Sequence, residues 1–345
     1  MKIYQTILQQ KQKHYPSALD FKNIVYKRSK VQTASAKKEL YRLEMGHLGE
    51  EKLVEYLRMF GHKHWAILRN IWLSDGRTFE CDIILITSAC VYIFEVKNYR
   101  GQFHYKNASS TLNGMKLDYD YIQQARKSIL KMKKILNKLP IQIPVKGALV
   151  FIGEHNQVRI ESPVEDIDIL TLTNLYSTIQ EIILEEKRNY SGRVNARQIL
   201  QHLETYEVSS PFLPEPLSDI AIQELKSGIY CDACGNFDLQ FNRDYTICPS
   251  CMKEPRHESI VRMALEYGAL TYDRNFSTVE VERFIHNQAS RKLIRKTFEK
   301  HMDYVPRSNA SYVRNNTPLY YKCSEKFKFN LPRIRQVDRT WLIGH

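Results

Sequence analysis

The apolar runs at residues 79–87 and 91–96 constrain this chain most, because each carries a carboxylate and only three residues separate them. The first run is rich in Ile and Leu, the second in β-branched and aromatic residues, and both read as strands. A tight connection near Ser88 and Ala89 folds the strands together and brings Asp82 beside Glu95. Side chains alternate along a strand, so Glu95 and Lys97 leave the same face. Two carboxylates and an ammonium converging on one sheet face suit a Mg²⁺ ion and a water attacking a phosphodiester. Buried acids and a buried lysine are costly without metal or partners, so the cluster asks for a function.

A Glu-x-Lys triplet alone is common on solvated strands, and context has to decide. Here an upstream Asp sits in a second strand, and a helix with its own acid precedes both. Residues 46–57 place Leu53, Val54 and Leu57 on one helical face, with Glu50 near the start. Taken together, Gly46-x-x-Gly49-Glu50, Asp82, Glu95-Val96-Lys97-Asn98 and Gly101 resemble the NERD domain, the nuclease-related branch of the PD-(D/E)XK nuclease superfamily. The resemblance runs over about residues 40–155, through Gln124 at the head of a helix over 124–139 and the strand that follows Pro144. It implies an α/β fold, a restriction-endonuclease-like mixed sheet flanked by helices. It further implies that Glu50, Asp82 and Glu95 bind Mg²⁺ or Mn²⁺ and that Lys97 orients or polarises the attacking water. Gln124 would assist at the site edge, and DNA is favoured over RNA as substrate. The chain departs from the family pattern at Cys81, in place of a proline, and at Ile83, where relatives often carry His.

At 345 residues the chain has room for two or three units, and 43% hydrophobic content excludes a disordered chain. No run of eighteen apolar residues occurs, which excludes an ordinary membrane span. Residues 1–10 hold no sustained apolar stretch, so a cytoplasmic protein is expected rather than an exported one. The net charge of +13 is unevenly placed: residues 1–45 carry ten Lys/Arg against three Asp/Glu, and residues 283–345 carry fourteen against four. The middle of the chain is therefore mildly acidic. Basic ends around an acidic centre suit phosphate binding outside a metal site that needs its own acids. The expected partner is nucleic acid, probed by those ends; a homo-oligomer or a protein partner is left open.

Along the chain, residues 1–40 read as a basic, aromatic-bearing arm without a firm period, and 41–208 as the nuclease-like domain. Within it, 101–114 reads as polar and loop-like, with 102–105 extending the hairpin, and 118–139 as a helix. The strand after Pro144 completes an α-β-β-β-α-β order. A strand at 167–172 and helices at 175–186 and 195–206 follow, and Ser209-Ser210-Pro211-Phe212-Leu213-Pro214-Glu215-Pro216 opens a linker over 209–226.

Residues 227–254 resemble a zinc ribbon. Cys231-x₂-Cys234 and Cys248-x₂-Cys251 stand thirteen residues apart, which makes two knuckles of two sulfurs each. Tetrahedral Zn²⁺ takes four thiolates, and the two-residue spacer turns both sulfurs of a knuckle toward one ion. Gly235 and Pro249 supply the tight turns. Disulfides are the rival, disfavoured in a chain that is not exported. Cys81, Cys90 and Cys323 read as free thiols. Residues 255–345 form a basic helical and aromatic region. Ser277 to Glu280 has the form of a capping box, and Ser290 caps a helix over 291–301. Arg291, Lys292, Arg295 and Lys296 on that helix are candidate nucleic-acid contacts, in an arrangement like a helix-turn-helix. The tail interleaves Tyr304, Tyr312, Tyr320, Tyr321, Phe327, Phe329 and Trp341 with Arg and Lys. A metal-dependent nuclease with a structural zinc is the expectation; a non-catalytic nucleic-acid-binding adaptor, or an RNA nuclease, is the alternative.

Overall fold

A computed structural model describes residues 16–140, 142–188, 195–307 and 310–315. In chain order, helices α1 (Ala18–Arg28) and α2 (Ala34–Phe60) precede strands β1 (Ala66–Ser74), β2 (Thr78–Ile86) and β3 (Val91–Lys97). Strands β4 (Gly101–Lys106), β5 (Ser109–Leu112) and β6 (Met115–Lys116) lead to helix α3 (Tyr121–Leu136). Strands β7 (Val145–Phe151), β8 (Asn156–Ile160) and β9 (Asp168–Thr171) follow, then helices α4 (Leu172–Arg188) and α5 (Ala196–Glu204). The principal sheet has the order β1-β2-β3-β7-β9, antiparallel through β3 and parallel beyond it. This is the mixed sheet flanked by helices that the family resemblance implied.

β3 is buried from Val91 to Val96, which explains why it reads as an unbroken apolar run: both faces of the sheet are covered. On one face Ile84, Ile93 and Leu149 pack with Ile122, Ile129 and Met132 of α3. On the other, Ile83, Phe94 and Val150 pack with Leu53 and Leu57 of α2 and Leu175 and Ile179 of α4. The connection between β2 and β3 is fastened by Glu186 of α4, whose carboxylate accepts from Ser88 N (2.6 Å), Ser88 Oγ (2.7 Å) and Trp65 Nε1 (2.9 Å) and lies 3.0 Å from His64 Nε2.

Two local expectations are corrected. Residues 101–114 are not a loop: β4, β5 and β6 form consecutive hairpins in a second sheet of order β6-β5-β4-β8. Each hairpin closes on two residues with positive φ, Asn107-Ala108 and Asn113-Gly114, the backbone that matches the right-handed twist of the flanking strands. Phe103 and Tyr105 bury their rings in the α3-side core. Helix α3 begins at Tyr121 rather than Gln124, because Asp120 Oδ1 caps the backbone N–H groups of Ile122 (2.9 Å) and Gln123 (3.2 Å).

The remaining elements are α6 (Asp219–Glu224), strands β10 (Gln240–Phe241), β11 (Tyr245–Ile247) and β12 (Lys253–Pro255), and helices α7 (Arg256–Leu270), α8 (Thr278–Phe284) and α9 (Arg291–His301). A short pair, β13 (Tyr304–Val305) and β14 (Tyr312–Val313), closes the described chain. Phe21 and Ile24 of α1 share a core with Ile260, Met263, Phe284, Ile294 and Phe298. The segment read as part of a basic arm is thus, over 18–28, a helix packed on the C-terminal elements. Its Arg28 is fully buried, donating to Glu266 Oε2 (3.0 and 3.1 Å), Lys226 O (2.9 Å) and Gly228 O (3.1 Å), with its guanidinium 3.9 Å from the Phe284 ring centre. His14 and Tyr15, and the tail residues Tyr320, Tyr321, Cys323, Phe327, Phe329 and Trp341, lie outside the described residues.

Candidate active site

The carboxylates gather where β2 and β3 part. Their paired register ends at Ile83 and Phe94, and beyond it Asp82 Oδ2 accepts the backbone N–H of Val96 at 2.8 Å. A slip in the pleat helps to place Asp82. Leu68 and Ile71 on β1, and Cys81 and Ile84 on β2, all pack into the α3-side core although each pair is three residues apart. In a regular strand residues three apart face opposite sides. The alternation therefore shifts by one residue at Asn70, whose φ is 53°, and at Asp82 on the neighbouring strand. Because both strands shift at the same level, Arg69 still pairs with Ile83 and Ile71 with Cys81.

Glu95 is 3% exposed and accepts a hydrogen bond from Lys97 Nζ at 2.7 Å, as two residues on one strand face should. The same ammonium lies 4.5 Å from the ring centre of Tyr121, at the head of α3. Glu50, from α2, accepts from Arg69 Nε at 2.9 Å, and Arg69 Nη2 also donates to His47 O at 2.7 Å. Burial, then the charge of Asp82, pushes Glu50 up to about 7 against the pull of Arg69. Burial and Asp82 likewise push Glu95 up to about 7 against Lys97. Asp82 is raised by burial, opposed by Lys97 and the Val96 N–H. For Lys97, burial favours the neutral amine, but Glu95 and Asp82 outweigh it and raise the pKa above its ordinary value.

Glu80 escaped the sequence reading. Burial, then Asp82, Glu50 and Glu95, pushes it up to about 8. Its signal was an acid inside an apolar strand, two residues before Asp82. Arg69 was missed as well, since nothing in a single strand's spacing ties it to Glu50. Four acids against two cations leave the junction short of positive charge, and hard carboxylate oxygens are the donors that Mg²⁺ or Mn²⁺ prefers. The donor set fits such an ion. Glu50 and Glu95 are turned toward Arg69 and Lys97, and the carboxylates do not close to the mutual 4.8 Å that the four ribbon sulfurs reach among the described residues.

Beside Lys97 opens a cavity of about 1010 Å³, walled by the first half of α2, the 98–100 turn and the 153–155 turn. Gly49 lets two of these walls meet: a Cβ there would lie 2.6 Å from Asn98 Cβ, so even alanine would force them apart. Asn98 Nδ2 then donates to Met45 O at 2.8 Å, which fastens the turn to the helix. Gln124 is exposed one turn into α3 and is not among the residues lining this cavity.

The four ribbon cysteines come together as their spacing required. Cys231 and Cys251 sulfurs are 3.3 Å apart, Cys234 and Cys248 3.6 Å, and Cys248 and Cys251 3.5 Å. Zn–S bonds of about 2.3 Å place tetrahedral sulfurs about 3.8 Å apart, so the set fits zinc, whereas a disulfide needs about 2.05 Å. The thiols of Cys248 and Cys251 titrate together: the N–H of Ser250 draws Cys248 down, while hydrogen bonds with the other three sulfurs push Cys251 up. Cys81 and Cys90 are buried free thiols.

The helix caps form as read: Ser277 with Glu280 as a capping box, and Ser290 as an N-cap accepting from Leu293 N. Of the four candidate phosphate contacts, Arg291 is engaged by Glu282 (2.7 Å) and Arg295 by Glu299 (2.9 Å), while Lys292 and Lys296 are exposed. Among the described residues no helix is long and apolar enough to cross a membrane. Residues 45–152 match the family model of the nuclease-related domain, NERD, a span that holds Glu50, Asp82, Glu95, Lys97 and Gln124. No curated protein and no solved structure matches the chain.

Proposed function

The chain carries a nuclease-related domain over residues 45–152, and from that premise we propose that it is a metal-dependent nuclease hydrolysing phosphodiester bonds, with DNA favoured over RNA. The observation that carries this reading is the buried junction of Asp82, Glu95 and Lys97, backed by Glu50. Asp82 and Glu95 would hold Mg²⁺ or Mn²⁺, with Glu50 completing the site directly or through water. When bound, the ion supplies Lewis-acid polarisation of the phosphoryl oxygen and neutralises developing charge. Lys97 is kept cationic by Glu95 and Asp82. An ammonium has three donors, one of which is given to Glu95, so two are left for the attacking water and a phosphate oxygen. The Tyr121 ring and the Val96 N–H hold Lys97 and Asp82 in place. Gln124, exposed one turn into α3, would assist at the edge of the site, as the family resemblance implies. The ribbon cysteines would hold one structural Zn²⁺, and Lys292 and Lys296 would meet phosphates by charge.

The test is cleavage of supercoiled plasmid, linear duplex, single-stranded DNA and RNA with Mg²⁺ or Mn²⁺, beside Glu95→Gln and Lys97→Ala. Loss of cleavage in both variants, and on chelation with EDTA, is expected. Parent-level cleavage in either clean variant overturns the assignment. The second reading, a nucleic-acid-binding adaptor, is favoured by the pairing of Glu50 with Arg69 and of Glu95 with Lys97, which engages both acids. It requires salt-sensitive binding without metal-stimulated turnover.

A further inference from the structure

We infer that the cavity beside Lys97 takes a single, unpaired polynucleotide strand, so that this protein acts on single-stranded segments and frayed ends rather than within intact duplex. The inference rests on the nuclease reading for the position of the scissile bond, and on the cavity itself for the form of the substrate. The cations on its lining are Lys38, Arg42 and Lys52 on α2, Arg100 on the turn after β3, and Lys97. The two acids on its walls are already engaged, Glu154 by Lys52 at 2.8 Å and Glu39 by Lys22. The lining thus presents positive charge that is spread along the walls, as a phosphate backbone requires.

Aromatic rings share the lining with those charges. Tyr41 is 49% exposed, Tyr121 backs Lys97, and Tyr99 stands between Tyr121 and Phe151 with ring centres 6.2 and 5.8 Å away. The buried hydroxyl of Tyr99 has no hydrogen-bond partner among the described residues. A basic groove with stacking rings is the chemistry that holds single strands without reading their sequence. The form of the substrate follows from the rings: a base can stack on an aromatic side chain in this groove of about 1010 Å³ only where it is unpaired, which favours a single strand. Lys38, Arg42 and the 153–155 turn lie outside the segment matched by the nuclease-related family.

The test measures binding by the full-length chain carrying Glu95→Gln, in EDTA, to labelled oligonucleotides of one sequence, single-stranded and as a blunt duplex, in DNA and RNA forms. Single strands should bind at least tenfold tighter than the corresponding duplex. Adding Tyr41→Ala or Arg42→Ala should weaken single-strand binding about tenfold while leaving the residual duplex binding within about twofold. Arg42→Ala should also lower the salt slope for single strands by about 0.7. Whichever sugar is preferred, a tenfold advantage over the matching duplex sustains the inference. Equal or tighter duplex binding, or a single-strand advantage unchanged by both substitutions, overturns it. Metal-dependent cleavage of duplex interiors by the parent would leave the nuclease reading standing and sink this one. Selective single-strand binding with no turnover would do the reverse.

Discussion

Replacing Glu95 by Gln should make the metal-free protein more stable, although it removes a partner of Lys97. Glu95 titrates at about 7 in the folded chain against an ordinary value of 4.5, and that value already includes the help of Lys97. Below pH 4.5 the acid is protonated in both states and contributes nothing. Between 4.5 and 7 the folded state binds the extra proton, so stability falls as pH rises; above 7 the full cost is present. At 1.36 kcal/mol per pKa unit that cost is about 3 kcal/mol. Gln keeps an acceptor for Lys97 and carries no charge, so Glu95→Gln should gain about 2–3 kcal/mol at pH 8. For a chain of this size the gain corresponds to a rise in Tm of about 5 °C. The assay is thermal unfolding of parent and variant in EDTA from pH 4 to pH 8.5, repeated with Mn²⁺. The difference should vanish near pH 4, grow through pH 7, and shrink or invert with Mn²⁺, which should stabilise the parent more than the variant. A variant that melts below the parent at pH 8 in EDTA, or a difference that is independent of pH, would refute the reasoning.

Glu186 should behave in the opposite sense. Burial alone would raise its pKa, but the Ser88 N–H, Trp65, the Ser88 hydroxyl and His64 hold it down at about 2. Glu186→Gln should therefore lose about 2–3 kcal/mol at pH 7 in denaturant titrations, a loss that fades as pH falls from 4.5 toward 2. Arg28→Ala leaves Glu266 buried without its cation and should cost about 3–5 kcal/mol by the same titration, with added protease sensitivity around 18–28. Elemental analysis should find one zinc per chain in the parent and none after Cys231→Ser; a parent without zinc whose thiols resist alkylation would point to disulfides instead.

Local spacing in the chain is enough for several parts of this protein, and for a common reason: each depends on residues close together in sequence. Glu95 and Lys97 meet because strand side chains alternate, each Cys-x₂-Cys spacer turns the two sulfurs of its knuckle the same way, and the Ser277–Glu280 capping box spans four residues. The Asn113-Gly114 hairpin was missed, because the polar composition around it read as a loop. What depends on distant contacts was not legible. The pleat slip at Asn70 and Asp82 needs two strands to shift together, and a period-two reading of either one cannot contain it. Arg28 counted as surface charge until a partner 238 residues away, Glu266, and the ring of Phe284 enclosed it. Glu80 and Arg69 became part of the acid junction only when packing removed water from around them. Residue identity set which groups carry charge and which runs avoid water; tertiary packing decided which charges share a low-dielectric pocket, because desolvation and Coulomb energy depend on distance in space rather than along the chain.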